Sequence, residues 1–336
     1  MAKKIRIIDS TLRDGMHAVS HQFTPEEMAE IAAGLDAAGI DTIEVSHGDG
    51  LGGSSYNYGF AAAKDEDYLK AVSQVLKNSK LGVLLLPGIG TAHDLEMAAK
   101  FGAKVVRVAT HCTEADIGEQ HIKIAKELGM EAIGFLMMSH MVPPEKLVEQ
   151  AKLFESYGAD AVYITDSAGA MTPYDVKVRI EAVKAAVSVP VGFHAHNNLG
   201  LAIGNTLAAI EAGATYVDGT ARGLGAGAGN SQTEILVAVL AKLGYETGVD
   251  LYKIMDVAEE VVAPKMRRPQ IVDKAALSLG YAGVYGSFLL HAMRAAEKFK
   301  VDVRDILIEL GRLKTVGGQE DMIVDVAYEL SKANKQ

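Results

Sequence analysis

The sequence predicts an α/β fold: a closed (β/α)8 TIM barrel followed by a small C-terminal helical module. A short apolar, strand-like segment followed by an amphipathic helical segment recurs eight times between residues 5 and 243. Several units share a short sequence motif, in which a glycine ends a helix and a strand follows. It occurs at residues 38–41, 101–104, 157–160 and 212–215. Apolar strands alternating with helices are typical of a parallel sheet covered by helices, and eight units favour a closed barrel over an open sheet.

The elements follow in order along the chain. We predict strands at residues 5–9, 40–46, 81–86, 105–109, 131–137, 161–165, 189–194 and 216–219. The first helix opens at Thr24, where an N-cap, a proline at the first helical position and acids in the first turn coincide. Later helices are predicted at residues 65–77, 92–101, 114–128, 143–157, 173–186, 199–212 and 231–243. No glycine-rich dinucleotide fingerprint follows the first strand, which argues against an open Rossmann sheet.

The alternation of predicted strands and helices ends after residue 244. A helix is predicted at residues 251–262, a linker at 264–269, and further helices at 287–298, 303–310 and 320–333. We therefore predict two domains, a catalytic barrel at residues 1–264 and a helical module at residues 265–336.

Composition excludes several classes of function. The net charge of −10 and the pI near 5.5 argue against a nucleic-acid partner, which would require a basic surface. The single cysteine, Cys112, excludes an intrachain disulfide framework and fits a reducing compartment. Because the chain also lacks a signal-peptide pattern and an apolar run long enough to span a bilayer, a cytoplasmic protein without membrane contact is expected.

Nearly every polar cluster of the sequence follows a predicted strand. In barrels of this class the catalytic groups lie at the carboxyl ends of the strands. The clusters are residues 13–17, 46–50, 52–59, 110–111, 139–140, 166–169, 194–198 and 223–230. One face of the barrel is therefore predicted to carry the active site.

Two of these clusters predict a metal site. His194 and His196 are two residues apart, so on an extended chain their imidazoles point to the same side. Asp14, at the end of the first strand, adds a carboxylate. Two histidines and one carboxylate suffice to hold a divalent metal with coordination positions left open.

Other polar residues have two interpretations. His47, His111 and His140 are interpreted as groups that line the pocket or support it. The glycine-rich segment 223–230 could cradle a phosphate, but a tight loop is preferred because no Lys or Arg follows it. Arg13 could be a structural ion-pair partner. Because it lies next to a carboxylate predicted to bind the metal, the preferred interpretation is that it makes a two-point contact with a carboxylate of the substrate. The strands offer no inward lysine for Schiff-base chemistry, so metal catalysis is favoured.

These residues resemble the metal-dependent DRE-TIM lyase superfamily, whose barrels open with Asp-x-Thr-x-Arg-Asp-Gly and carry His-x-His after the seventh strand. Within it the chain is most similar to the 4-hydroxy-2-oxovalerate aldolase family, through residues 11–18, 44–51, 107–114 and 280–285. The similarity runs over nearly the whole chain, although Gly286 stands where serine is expected.

The resemblance implies a class II aldolase that cleaves 4-hydroxy-2-oxopentanoate to pyruvate and acetaldehyde. Asp14, His194 and His196 are then expected to hold Mn²⁺, or another divalent ion such as Co²⁺ or Mg²⁺. His17 is expected to be the general base. Arg13 and the metal are expected to stabilise the enolate of pyruvate, and Asp14 and His194 to adjoin the substrate.

The resemblance assigns three further residues. Ser167 is expected to position the pyruvate moiety, and Tyr285 to contact the substrate near its C4 hydroxyl. Asn230 resembles a metal-site asparagine of the superfamily, and whether it is a ligand here stays open. The predicted catalytic residues are thus His17, Arg13 and Tyr285, and the predicted substrate-binding residues are Arg13, Asp14, Ser167, His194 and Tyr285.

The resemblance also implies a partner, an acylating NAD-dependent acetaldehyde dehydrogenase that receives the aldehyde directly. Two apolar stripes in the helical module are candidates for packing on the barrel or on this partner. They are Leu289, Leu290, Met293 and Ala296, and Ile306, Leu307 and Leu310.

Three other functions are compatible with parts of the sequence. A Claisen-type enzyme that joins an acyl-CoA to a 2-oxo acid shares the metal motif. A non-haem iron oxygenase uses the same ligand types, but the parallel-barrel rhythm argues against it. A non-enzymatic scaffold is disfavoured by the intact set of Arg13, Asp14, His17, His194 and His196.

Overall fold

Eight parallel strands close into a single barrel in the order of the sequence, which confirms the predicted fold class. The computed structural model describes residues 3–333. The strands are β1 (Arg6–Asp9), β2 (Thr42–Glu44), β3 (Lys80–Leu85), β4 (Val105–His111), β5 (Glu131–Met137), β6 (Ala161–Asp166), β7 (Val191–Ala195) and β8 (Tyr216–Gly219). β1 pairs with both β2 and β8, with Ile8 opposite Thr42 on one side and Asp218 on the other. The sheet therefore has no free edge.

A helix follows each strand around the outside of the barrel. These helices are α1 (Pro25–Ala38), α2 (Asp65–Ser73), α3 (Ala92–Lys100), α4 (Glu119–Glu127), α5 (Pro144–Ser156), α6 (Pro173–Ala186), α7 (Ala202–Glu211) and α8 (Thr233–Lys242). At the start of α1, the Thr24 side chain accepts from the Glu27 amide while the Glu27 carboxylate accepts from the Thr24 amide. This capping box stabilises the helix start that the sequence predicts.

The helical module follows the barrel. α9 (Leu251–Asp256) continues as a π-helical turn, and the module itself contains α10 (Lys274–Ala282), α11 (Phe288–Phe299), α12 (Val303–Arg312) and α13 (Asp321–Ala333). Helix α10 was not predicted from the sequence. Both ends of this helix have residues typical of helix caps. The Asp273 side chain accepts hydrogen bonds from two backbone amides at its start, and Gly283, with φ of 69°, ends it.

The helix α10 lies against the active-site face of the barrel. A Cβ on Gly280 would approach the Asn198 Cβ to 2.9 Å and the Gly169 carbonyl oxygen to 3.1 Å. Glycine at this position therefore lets the helix backbone rest on the loops that follow β6 and β7.

Alternation along the strands separates two apolar regions. On β2, for example, Ile43 belongs to the large core between sheet and helices, whereas Glu44 faces the barrel interior. The interior contains a smaller apolar cluster of Ile8, Leu84, Val105, Ala109, Ile133, Phe135, Ala161 and Tyr163. A few charged side chains share this interior, and they lead to the site described below.

The helical module has its own apolar core. Ile306, Leu307 and Leu310 are completely buried there, together with Leu279, Phe288 and Ile323. This predicted stripe is thus used inside the module and is not free for a partner. In the other stripe Leu289 is buried, whereas Leu290 and Met293 are 48% and 47% exposed. Among residues 3–333, no helix is both long and apolar enough to cross a membrane.

Candidate active site

The three predicted metal ligands meet at the carboxyl ends of β1 and β7. Asp14 opens a short 3-10 helix after β1, His194 lies within β7, and His196 follows it. Asp14 Oδ2 is 3.2 Å from His194 Nε2 and 3.4 Å from His196 Nε2, and all three side chains are buried. Donor atoms bonded to one ion at roughly 2.0–2.2 Å have similar separations, so the three groups already have the spacing of ligands.

Electrostatics also fit this set to a cation. Burial raises the pKa of Asp14, but the charge of Arg13 and a hydrogen bond with His194 hold the pKa well below the usual range. Burial lowers the pKa of His196 to about 4, so its imidazole is neutral. Burial also opposes charge on His194, yet hydrogen bonds to Asp14 and Asp218 raise its pKa. A metal ion bonded to His194 Nε2 would compete with a proton at that atom.

Two buried oxygen atoms, one on a predicted ligand and one on a residue that bridges to His196, lack hydrogen-bond partners among the described residues. Among residues 3–333, Asp14 Oδ1 and Asn230 Oδ1 are buried without a hydrogen-bond partner. The Asn230 backbone forms a β-bridge with His196. The Asn230 side-chain Nδ2 donates to the Leu224 carbonyl at 2.9 Å, so Oδ1 of the same amide points away from Leu224. Buried acceptors without donors are costly, and a bound cation would satisfy them.

A closed ring of buried charges supports the ligands. In order, the charge ring consists of Asp14, Arg13, Glu44, Arg107, Asp218 and His194. Arg13 Nε donates to Glu44 Oε2 at 2.7 Å, and Arg107 Nε donates to Glu44 Oε1 at 2.6 Å. Arg107 also pairs with Asp218, whose Oδ2 lies 2.8 Å from His194 Nδ1. Asp218 Oδ2 thereby accepts a hydrogen bond from His194 Nδ1, and His194 Nε2 is left facing Asp14.

Arg107 lies at the centre of the barrel interior. Its guanidinium carbon is 4.7 Å from the centroid of the Phe135 ring and 5.4 Å from that of Tyr163. Burial opposes its charge, but Asp218 and Glu44 outweigh it and raise its pKa well above the usual value. Sequence reasoning missed Glu44, Arg107 and Asp218 as site residues. The available signal was a charged residue at an inward position of an otherwise apolar strand.

The other predicted site residues line one cavity of about 40 Å³ beside the ligands. They are Arg13, His17, Ser167 and Tyr285, the last contributed by the helical module. Ser167 Oγ accepts from the Met138 amide at 2.9 Å, which leaves its own proton free to donate into the cavity. Burial, followed by the charges of Asp49 and Asp14, raises the pKa of Tyr285, so its hydroxyl stays protonated.

Arg13 uses two of its three side-chain nitrogens in contacts within the protein. Its Nε is used by Glu44, and its Nη1 lies 3.2 Å from Asp14 Oδ2 and 3.4 Å from the Gly48 carbonyl. Nη2 is buried without a partner among the described residues. Nη2 is thus the nitrogen of Arg13 that is free for a substrate, and the two-point contact stays a prediction.

The remaining histidines are held by backbone groups or by polar neighbours. His47 Nδ1 accepts from the Asp49 amide at 3.1 Å, and its Nε2 lies 3.0 Å from the Gly59 carbonyl. His140 Nε2 lies 3.0 Å from the carbonyl of Gly283 and ties the helical module to the barrel. His111 Nδ1 lies 2.7 Å from the Thr113 hydroxyl. These positions agree with lining or supporting roles.

The glycine-rich segment 223–230 folds upon itself. Gly229 has φ of 85°, and a Cβ there would overlap the Gly223 carbonyl oxygen. Gly225 packs on the Asn230 side chain, and Gly227 on Asn198. The segment is therefore a tight loop around the two asparagines.

Comparison with known proteins agrees with this architecture. The carboxyl transferase domain of Rhizobium etli pyruvate carboxylase superposes with a TM-score of 0.84 at 18% identity, covering 99% of this chain and 61% of that one. The HMG-CoA lyase of Bacillus subtilis superposes with a TM-score of 0.70 at 23% identity, covering 80% and 95%. At such low identities these structures share the fold.

Sequence comparison defines the class and then the family. The HMGL-like family matches residues 4–261, and the DmpG-like communication domain matches residues 270–332. The 4-hydroxy-2-oxovalerate aldolase of Moorella thermoacetica is 72% identical over 331 residues, or 98% of each chain. That of Geobacillus stearothermophilus is 61% identical over 334 residues, or 99% and 98%. The chain therefore belongs to the 4-hydroxy-2-oxovalerate aldolase family and is a lyase, which favours the aldolase over the Claisen, oxygenase and scaffold alternatives.

Replacing Arg107 with methionine tests the charge ring. Arg107→Met leaves Glu44 and Asp218 buried without their shared cation, so we expect a loss of about 3–5 kcal/mol in the free energy of unfolding. Urea denaturation followed by circular dichroism measures this loss. Arg312→Met is the matched control, because Arg312 is 69% exposed and its pair with Glu309 is solvated, so its curve should overlay the wild type. Equal stability of the two variants would contradict the role given to the ring.

Proposed function

We propose that the protein cleaves 4-hydroxy-2-oxopentanoate, or a close 4-hydroxy-2-oxo acid, to pyruvate and acetaldehyde by a metal-dependent retro-aldol reaction. The supporting observation is the convergence of Asp14, His194 and His196 on a cavity that His17 and Arg13 also line. Membership of the aldolase family supports the same reaction.

Asp14, His194 and His196 would hold Mn²⁺, or a similar divalent ion such as Co²⁺ or Mg²⁺, with Asn230 Oδ1 as a further oxygen donor. Imidazole and carboxylate ligands suit such ions. When bound, the ion would supply Lewis-acid polarisation of the substrate's 2-oxo group. In the charge ring the three carboxylates outnumber the two guanidiniums, which favours a divalent cation beside them.

His17 is proposed to take the proton of the C4 hydroxyl. Loss of this proton lets the C3–C4 bond break, with its electron pair passing to the pyruvate enolate while C4 becomes the aldehyde carbonyl. Other candidates are poor bases. Burial lowers the pKa of His47 to about 4, and both of its nitrogens are engaged. Tyr285 keeps its proton because its pKa is raised.

Fixed donors would stabilise the enolate and orient the substrate. Arg13 Nη2 is proposed to face the developing enolate oxygen as a permanent cation, whose position the charge ring fixes. Ser167 would donate to the pyruvate carboxylate. Tyr285 would donate to the C4 oxygen and thereby steer the hydroxyl toward His17.

The helical module, residues 265–336, is proposed to bind an acylating NAD-dependent acetaldehyde dehydrogenase that takes the aldehyde directly. The match to the DmpG-like communication domain supports this partner. So do the half-exposed Leu290 and Met293 on α11. A second cavity of about 510 Å³ shares Leu86, Met137 and Tyr285 with the active-site cavity and offers space for an aldehyde to leave.

Metal removal tests the reaction. Pyruvate release from 4-hydroxy-2-oxopentanoate, measured with lactate dehydrogenase and NADH, should cease after chelation and return with Mn²⁺. Asp14→Asn should stay inactive when Mn²⁺ is supplied, because the ligand charge is lost. Asp116→Asn, a carboxylate in the short helix before α4, is the control and should keep wild-type turnover. Metal-independent cleavage by chelated enzyme would contradict the mechanism.

Substituting His17 separates proton transfer from metal binding. His17→Ala should lose roughly 10²–10⁴-fold in turnover, the usual contribution of a general base. Mn²⁺ binding, measured by electron paramagnetic resonance, should stay near wild type because the three ligands remain. Some exchange of the pyruvate methyl protons in D₂O should also remain. Near-normal cleavage by His17→Ala would require another base.

Polar substitutions on α11 test the partner. The double substitution Leu290→Glu with Met293→Glu should prevent co-elution with the co-expressed dehydrogenase in size-exclusion chromatography, while the Mn²⁺ content is unchanged. Leu243→Glu is the control, because Leu243 is 56% exposed but follows α8 on the barrel, and its complex should persist. Separate elution of the two wild-type proteins at micromolar concentration would contradict the proposed complex.

A further inference from the structure

A second group of histidines lies beside the proposed metal ligands. The His17 and His21 ring centroids are 4.9 Å apart with planes inclined at 73°. The candidate donor atoms of His17, His21 and Asp49 all lie within 4.8 Å of one another. The group shares no residue with the set of Asp14, His194 and His196.

The two histidine pairs have the same mutual geometry. The His194 and His196 rings are 5.1 Å apart and inclined at 69°, close to the values for His17 and His21. Two imidazoles bonded to one ion at a tetrahedral angle have ring centroids about 5 Å apart, given metal–nitrogen bonds near 2.0–2.1 Å. Each pair also has one buried carboxylate within reach, Asp14 or Asp49.

His21 has a nitrogen available for a ligand. Only 6% of the surface of His21 is exposed. Its Nδ1 has no hydrogen-bond partner among the described residues. Burial, and then the neighbouring His17 and His47, lower its pKa to about 2, so the imidazole is neutral and keeps an unshared electron pair.

Space between the two rings is kept open by Gly48. A Cβ on Gly48 would lie 2.7 Å from both His17 Nε2 and His21 Cε1. His47 stacks on His21 at 3.8 Å, but both of its own nitrogens are engaged by backbone groups, so it supports the pair without joining it. Asp49 lines the active-site cavity and also a neighbouring cavity of about 210 Å³ that His17 and His21 line.

We propose that His17, His21 and Asp49 form a second metal site that takes borderline divalent ions such as Zn²⁺ or Co²⁺. Sets of two imidazoles and a carboxylate bind these ions more tightly than Mn²⁺, so Co²⁺ is expected to fill both sites. An ion here occupies the electron pair of His17. The expected consequence, which rests on the proposed role of His17 as the base, is inhibition of aldol cleavage by excess Zn²⁺.

Metal stoichiometry tests the site without relying on activity. Metal-free full-length enzyme is dialysed against graded Co²⁺, and bound cobalt is measured by mass spectrometry. Wild type should bind two equivalents per chain. His21→Asn and Asp49→Asn should each bind one equivalent over the same range of Co²⁺ concentration. Losing a group that supports a ligand lowers metal affinity roughly 10–100-fold, and losing the ligand itself should lower it more. His93→Asn removes an exposed histidine and should keep two equivalents.

Inhibition separates this inference from the proposed function. Zn²⁺ should inhibit the Mn²⁺-loaded enzyme, and His21→Asn should require at least tenfold more Zn²⁺ for the same fractional loss. A single cobalt equivalent in wild type, or a second one that survives in both variants, would overturn the site. Two equivalents that vanish in the variants, with wild-type turnover unaffected by Zn²⁺, would keep the site and instead contradict His17 as the base.

Discussion

The charge ring in the barrel interior is the constraint on which the site depends. It joins the loop after β1 to side chains of β2, β4, β7 and β8, so five segments distant in sequence share one electrostatic arrangement. Buried charges are tolerated only when partners compensate them, and each member of the ring has two. The apolar barrel sets where these segments lie, and the ring sets how their polar atoms point.

This arrangement explains why two metal ligands are oriented before any ion binds. Asp218 fixes the tautomer of His194, and Arg13 keeps Asp14 ionised. The ring also places Arg13 Nη2 at the cavity without a competing acceptor. Ligand orientation and the cation proposed to face the enolate therefore have one physical origin. Reactivity in such a site depends on preorganised charge, which costs no reorganisation during the reaction.

Much of this could be read from the sequence, because the signals are local. Strand and helix periodicity, the Thr24 capping box and the spacing of His194 and His196 involve neighbouring residues only. The members of the ring that were missed, Glu44, Arg107 and Asp218, matter through contacts with residues 24 to 111 positions away. No local pattern reports such partners.

The helical module illustrates the same limit. Its stripes were predicted from periodicity, but periodicity does not say what covers an apolar face. Ile306, Leu307 and Leu310 are covered by the module's own helices, whereas Leu290 and Met293 stay exposed. The single free nitrogen of Arg13 is likewise a consequence of where Glu44 and the Gly48 carbonyl lie in space.

The central claim is that the charge ring orients Asp14, His194 and His196 to bind a catalytic divalent ion. A crystal structure of the protein with Mn²⁺ and oxalate, an analogue of the pyruvate enolate, tests it most directly through anomalous scattering. We expect one strong manganese peak bonded to these three residues, with oxalate beside Arg13 and the ring contacts intact. A manganese peak elsewhere, or ligands that reach the ion only after the ring has broken, would contradict it.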